Sequence, residues 1–197
     1  THIQRGASRV LPPELLGAHI GPQHAHTTSR RTTLAFRAST ALFGHLGLEL
    51  DVSQLDQAKR SELRGWIARY KALRGLLHNG VSWRLDCLDD NQHAHGVVSQ
   101  DGQQALFSIS QLAMPRHAVP AAQPLTGLQA DTAYRLELLE LPEHPERRMK
   151  QLPAWISRQQ AGEPVVVSGE YLMREGLALP VLDPDQAILI HLQAVAA

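Results

Sequence analysis

Eleven histidines make metal ligation the first chemistry to weigh. Two pairs, His24-Ala25-His26 and His93-Ala94-His95, have the alternate spacing that turns two imidazoles toward one face of a strand. Neither pair has a cysteine partner or a second histidine four residues away on a helix, and 24–26 lies among Gly, Pro, Thr and Ser. Both pairs therefore read as structural or surface histidines, and neither a metal nor a cofactor is expected. A serine or cysteine nucleophile would need a base and an orienting group, but there is no Gly-x-Ser-x-Gly elbow, and Cys87, alternating with Leu85, reads as a small packing residue. Gly44 and Gly47 lack the third glycine and the lysine of a phosphate cradle, and Arg30-Arg31 reads as a solvated pair ahead of a helix. Cleavage of a glycosidic bond needs two carboxyl groups, one to protonate the leaving oxygen and one to attack or to activate water. Asp89-Asp90 are adjacent and read as turn residues. Asp51 closes an apolar run at the start of a helix, where capping is its simplest role.

Two grammars position these residues, with a break near Asn79-Gly80. Before it, the apolar runs 15–20 and 46–50 read as strands, each followed by a helix, over 33–45 and 54–78. The second helix carries Leu55, Leu63, Trp66, Ile67, Tyr70, Leu73 and Leu77 on one stripe, with Ser53 and Asp56 as a start signal and Gly80 as a stop. Strand, helix, strand, helix at this spacing is a βαβα unit with parallel strands. Beyond Gly80, strands are expected at 81–88, 95–99, 105–112, 134–141, 165–167 and 187–192, with a hairpin turn at Asp101-Gly102 and one wet face where Ser108 and Ser110 alternate with Phe107 and Ile109. Residues 142–164, punctuated by four prolines, read as a surface excursion. The expected fold class is α/β followed by all-β, the second part a small antiparallel sandwich.

Composition removes several classes of function. Hydrophobic residues make up 43% and charged residues 19% of the 197, so the chain should fold. Nineteen Lys plus Arg balance nineteen Asp plus Glu, leaving no surplus of positive charge for a nucleic-acid backbone. No apolar run approaches the roughly 18–20 residues that span a bilayer, and a single cysteine excludes an internal disulfide. The opening Thr1-His2-Ile3, without an initiator methionine or secretory pattern, suggests a piece of a longer protein.

Several of these stretches carry a pattern. His2-Ile3-Gln4-Arg5-Gly6-Ala7-Ser8, Pro12-Pro13 and Leu16-Gly17-Ala18-His19-Ile20 resemble the segment that follows the acid/base aspartate of glycoside hydrolase family 36, the bacterial α-galactosidases. His26-Thr27-Thr28 with Arg30, Ala41 through Gly47, Glu49-Leu50-Asp51, the helix through Ile67, Tyr70, Lys71 and Arg74, and Ser168-Gly169 with Leu172-Met173 and Gly176-Leu177 agree in order. The resemblance implies that residues 1–78 are the last quarter of a (β/α)8 barrel, strands seven and eight with their helices, and that 79–197 are a C-terminal antiparallel β-sandwich domain. It implies a retaining enzyme acting on terminal α-galactosyl groups of melibiose- and raffinose-type sugars, in the bacterial cytoplasm. Its two catalytic aspartates would lie upstream of Thr1, so no catalytic residue is expected in this chain, and the chain alone should be inactive. His19 and His24, at the carboxyl end of strand seven and in its loop, would be substrate-binding wall residues. Barrel faces left uncovered imply association, with homo-oligomer formation through 15–20, Phe36 and Phe43. The alternatives are a noncatalytic carbohydrate-binding or structural β module, for which 5% aromatic residues offer little stacking surface, and a metal-dependent β protein using the histidine pairs.

Overall fold

A computed structural model describes residues 2–8, 10–12, 15–26, 29–143 and 152–195. The chain divides into two compact units, Thr1–Asn79 and Gly80–Ala197. Among the described residues no helix is long and apolar enough to cross a membrane.

The first unit runs α1 (His2–Ala7), β1 (Gly17–Ile20), α2 (Leu34–Ala41), β2 (His45–Leu48), a 3-10 turn (Val52–Gln54) and α3 (Gln57–Asn79). β1 and β2 pair in parallel, His19 opposite Gly47 and Ile20 opposite Leu48, as the βαβα grammar requires. Ala18 and Ile20 are buried, and α2 packs on β1 and on α3. Of the stripe read on α3, Leu63, Trp66, Tyr70, Leu73 and Leu77 are buried, joined by Leu76, while Ile67 is half-buried and Leu55 precedes the helix. Two boundaries differ from expectation. α2 stops at Ala41 and His45 already belongs to β2, because Gly44 passes so close to Leu16 that a Cβ there would stand 2.5 Å from its carbonyl oxygen. α3 starts at Gln57 with Asp56 as its cap, accepting from the Lys59 N–H at 2.8 Å, while Ser53 sits in the preceding turn. Residues 2–7, to which no element was assigned from sequence, are helical.

In the second unit β3 (Val81–Leu85), β4 (Gln92–Val98), β5 (Gln104–Gln111), β6 (Ala133–Glu140), β7 (Val165–Ser168) and β8 (Gln186–Ala194) form one antiparallel sheet in the order β3-β4-β5-β8-β6-β7. The last strand in sequence thus inserts between β5 and β6. Two facing sheets were expected; among the described residues the strands make a single sheet, and helices and loops supply the opposite layer of the core. Trp155 and Ile156 from α4 (Ala154–Gln160), Leu172 from α5 (Gly169–Arg174), and Leu125, Leu128, Leu177, Leu179 and Leu182 pack with Phe107, Ile109, Tyr134, Ile188 and Ile190. Both helices went unread. α4 lies inside the proline-rich excursion, of which 144–151 fall outside the described residues. α5 is too short for periodicity to register, although Ser168 caps it by accepting from the Tyr171 N–H.

The hairpin turn is as read: Gly102 takes φ 70°, and Asp101 accepts from the Ser99 hydroxyl at 2.6 Å and the Gln103 N–H at 3.0 Å. The tyrosine hydroxyl of Tyr134 donates to Gly102 O at 2.7 Å and accepts from the Gln129 N–H at 3.1 Å, tying that turn to the next loop. The serine face of β5 is not wet. Ser108 is 1% exposed, and Leu106 and Leu189 on the same face are at 0%, as are Phe107 and Ile109 on the other, so both faces of β5 are covered. Cys87 packs half-buried against the core, as a small apolar residue would.

Asp89, a turn residue as expected, is buried and holds two loops together. It accepts from the Asn91 and Arg116 backbone N–H groups at 2.9 Å each. Burial pushes its carboxyl pKa up, but the hydrogen bonds from Arg116, Asn91 and the Gln111 amide outweigh that and hold it below the ordinary value of 3.8. A carboxylate depressed in the folded state stabilises fully above its unfolded pKa and loses that contribution as pH falls through the lower folded value. Asp89→Asn places an amide NH2 against N–H donors, so it should cost about 1–3 kcal/mol at pH 7. Urea titrations at pH 7 and pH 2 should show the two proteins converging in stability at the lower pH.

Candidate functional site: the carboxyl edge of the parallel strands

Parallel strands present their chemistry where they end, because the loops that follow all leave from that edge. Here β1 and β2 end together, and the Glu49 N–H donates to Ile20 O at 3.1 Å to close the pair. His19 lies on the exposed face, opposite the buried Ala18 and Ile20, because strand side chains alternate. Its ring lies flat across its neighbour. A Cβ at Gly47 would stand 2.4 Å from His19 Cδ2 and 2.9 Å from Nε2, and one at Gly17 would stand 3.5 Å from Cε1. Two glycines therefore vacate the space that the imidazole occupies. Among the described residues His19 has no hydrogen-bond partner that a ligand would have to displace.

His24 sits in the loop from β1 to α2, which folds back on itself. His24 bridges Arg31, Ala25 N–H donates to Arg30 O at 3.0 Å, and Ser29 turns the chain with φ 56°. Arg37 of α2 anchors the loop by donating to Gly21 O and, at 3.2 Å, to Thr33 O. Burial pulls the Arg37 guanidinium below its ordinary pKa, with Glu62 opposing. His24 is exposed, so the unit presents both histidines at one edge, on a strand and on its braced loop.

The carboxylate at this edge is occupied as expected. Asp51 Oδ1 accepts from the Ser53 hydroxyl at 2.6 Å and the Ser53 N–H at 2.9 Å, and these bonds, the hydroxyl first, hold its pKa down. A depressed carboxylate is a poor proton donor near neutrality, so Asp51 is a cap rather than a general acid. His93 and His95 are half-buried on β4, opposite Ser110 and Ser108, and among the described residues no three His, Cys, Asp or Glu side chains converge as metal ligands. Trp155 is buried, its indole N–H donating to Ala178 O at 2.7 Å, so it offers no stacking platform.

One cluster escaped the sequence reading. At the opposite end of β2, the rings of His45 and His78 meet edge-on at 4.8 Å, and the Tyr70 hydroxyl lies 3.1 Å from His78 Nε2. The histidines stand 33 positions apart, and only the turn from α3 back past β2 brings them together.

Comparison with known proteins gives this edge a context. Residues 1–80 match the Melibiase model and residues 92–192 match the glycosyl hydrolase family 36 C-terminal domain. The chain is 46% identical over 196 residues to an alpha-galactosidase of Escherichia coli, an alignment covering 97% of this chain and 27% of that protein. Among solved structures, a variant of the GH36 alpha-galactosidase AgaA from Geobacillus stearothermophilus in complex with raffinose superposes with a TM-score of 0.79 at 27% identity, over 98% of this chain and 24% of that one. The alpha-galactosidase from Lactobacillus brevis gives 0.78 at 25% identity, over 99% and 24%. The chain thus spans about a quarter of the length of the relatives it matches, and those full-length relatives are α-galactosidases, which are glycoside hydrolases. With one model on the parallel-strand unit and the other on the antiparallel sheet, the chain belongs to glycosyl hydrolase family 36.

Proposed function

We propose that these residues are the carboxyl-terminal quarter of a retaining α-galactosidase that hydrolyses terminal α-galactosyl groups of melibiose- and raffinose-type sugars. In this reading residues 1–78 are the last two strands of a (β/α)8 barrel with their helices, and 79–197 are the antiparallel domain that steadies it. The nucleophile and the acid/base are aspartates upstream of Thr1. The observation that carries the reading is the exposed His19 ring laid across Gly47 at the carboxyl edge of two parallel strands. An imidazole there can hydrogen-bond a sugar hydroxyl without moving protons in the bond-breaking step. His24 would meet the same substrate from the loop.

The mechanism assigns this chain binding and orientation only. Retention requires two carboxyl groups roughly 5–5.5 Å apart, and Asp51 is engaged with Ser53. What the chain supplies is part of the wall, held by α2 and α3 behind the strands. The test is the full-length protein with melibiose, followed by proton NMR of the first-formed anomer. α-Galactose as the initial product is the expected result. β-Galactose first, or no cleavage of melibiose, would refute the assignment.

A further inference from the structure

The loop that carries His24 leaves β1 at Gly21 and rejoins the fold at Thr33, the cap of α2. Its described residues, 21–26 and 29–33, bond mainly to one another. Thr32 N–H donates to Gln23 O at 3.2 Å, Ala25 N–H to Arg30 O at 3.0 Å and Ser29 N–H to Ala25 O at 2.8 Å, with the His24–Arg31 bridge among them. These bonds keep the shape of the excursion but not its direction, because a loop joined to the fold at two points can still swing about its neck. His24 depends on that direction. Its side chain is exposed, and among the described residues no hydrogen bond holds the imidazole, so the ring goes where the loop backbone carries it.

Arg37 crosses the neck. Its Nη1 donates to Gly21 O at the entry, and its Nε donates to Thr33 O at 3.2 Å at the exit, so one planar fork bonds both ends of the loop. Hydrogen bonds from a charged donor are about twice as strong as neutral ones. The fork is itself held. Arg37 stands in the first turns of α2, between the buried Phe36 and Ala38, where Thr33 Oγ1 accepts from the Phe36 N–H at 3.1 Å. Glu62 of α3 adds an attractive charge. Covering apolar surface with its stem and pairing with Glu62 would be role enough for a half-buried arginine. Neither role needs bonds to both ends of one loop.

We propose that Arg37 is a positioning residue for the sugar site: by tying Gly21 to Thr33 it fixes the angle of the loop and so sets where His24 stands at the carboxyl edge. The proposal rests on the reading of this edge as part of an α-galactoside site. Because His24 acts in binding and not in bond breaking, loss of the clamp raises KM for an α-galactoside and leaves kcat nearly unchanged.

The experiment compares the full-length wild type with Arg37→Ala, Arg37→Lys, His24→Ala and the Arg37→Ala/His24→Ala double variant in two measurements. Hydrogen–deuterium exchange read by mass spectrometry on peptides covering 21–33 needs no substrate; steady-state kinetics use 4-nitrophenyl α-galactoside. Arg37→Ala should speed exchange in the loop about tenfold or more, with β1, β2 and α3 unchanged. It should raise KM about five- to tenfold, the worth of one hydrogen bond, with kcat within about twofold of wild type. The double variant should be little worse than the poorer single variant, since both disturb the same contact. Arg37→Lys keeps the charge facing Glu62 and most of the stem but loses the planar fork. It should therefore fall between wild type and Arg37→Ala in both measurements, and it carries the test alone if the alanine variant does not fold. A lysine variant equal to wild type, exchange accelerated throughout the first unit, an unchanged KM, a loss confined to kcat, or additive losses with His24→Ala would overturn the proposal. A full-length wild type that cleaves no α-galactoside refutes the functional reading and the positioning role with it, while the exchange pattern shows separately whether Arg37 ties the loop.

Discussion

Gly176→Val should unfold the second unit or leave it barely stable. Gly176 closes α5 in the left-handed region at φ 80°, its N–H donating to Tyr171 O at 3.1 Å. A Cβ there would stand 2.6 Å from the Gln123 carbonyl carbon, 2.7 Å from Pro124 N and 2.8 Å from Gln123 O. All three are backbone atoms, so no side chain can swing aside. That backbone is itself pinned, because Gln123 and Leu177 exchange hydrogen bonds of 2.9 Å in both directions. A β-branched residue at positive φ costs about 1–3 kcal/mol, and overpacking against fixed atoms adds a similar amount. The sum, on the order of 3–5 kcal/mol, is much of the 5–15 kcal/mol that holds a typical domain together. Urea unfolding followed by far-ultraviolet circular dichroism reads it directly. A midpoint within error of the wild type would show that the α5 turn does not constrain the unit.

Gly47→Val acts on function instead. A branched side chain cannot coexist with the His19 ring 2.4 Å away, so the imidazole must leave the face of the sheet. If His19 contacts the sugar, the full-length protein should lose on the order of tenfold in kcat/KM for an α-galactoside, the value of one hydrogen bond of about 1–1.5 kcal/mol. His19→Ala should lose a similar amount. The double variant should lose little more than either alone, since both remove the same contact. Additive losses would mean that Gly47 acts through the strand rather than through His19.

The second unit was the more legible in sequence, for a physical reason. Its strands alternate or run apolar between glycine, proline and aspartate turns, so the six strand positions can be read within a few residues. Topology was not legible, because nothing local in 186–194 says that β8 must slip between β5 and β6. Ser108 shows the same limit from another side. Alternation identifies the face it shares with Leu106, but whether that face meets water depends on what packs over it, which alternation does not show. Helix ends in the first unit shifted because backbone proximity, at Gly44 against Leu16, overrode an apolar period that continued past Ala41.

In the first unit the sequence put His19 on a strand and His24 in the loop that follows, and read Asp51 as a cap, as the structure has them. It weighed Gly47 for a phosphate cradle, whereas its structural role is to make room for an imidazole on the neighbouring strand. The signal was present as a glycine inside a strand, which marks a close approach. The Tyr70, His45 and His78 cluster left no such trace, its members being far apart in the chain and chemically ordinary one at a time.

The central claim is that the reacting carboxylates lie outside these 197 residues. It is tested most directly by assaying 4-nitrophenyl α-galactoside hydrolysis by the purified 197-residue chain beside the full-length protein at equal molarity. Removing both the nucleophile and the acid/base of a retaining glycosidase removes several orders of magnitude in rate. The account therefore predicts full turnover from the longer protein and a rate at least about 10⁴-fold lower from the chain. Turnover by the chain within a hundredfold of the full-length rate would contradict it.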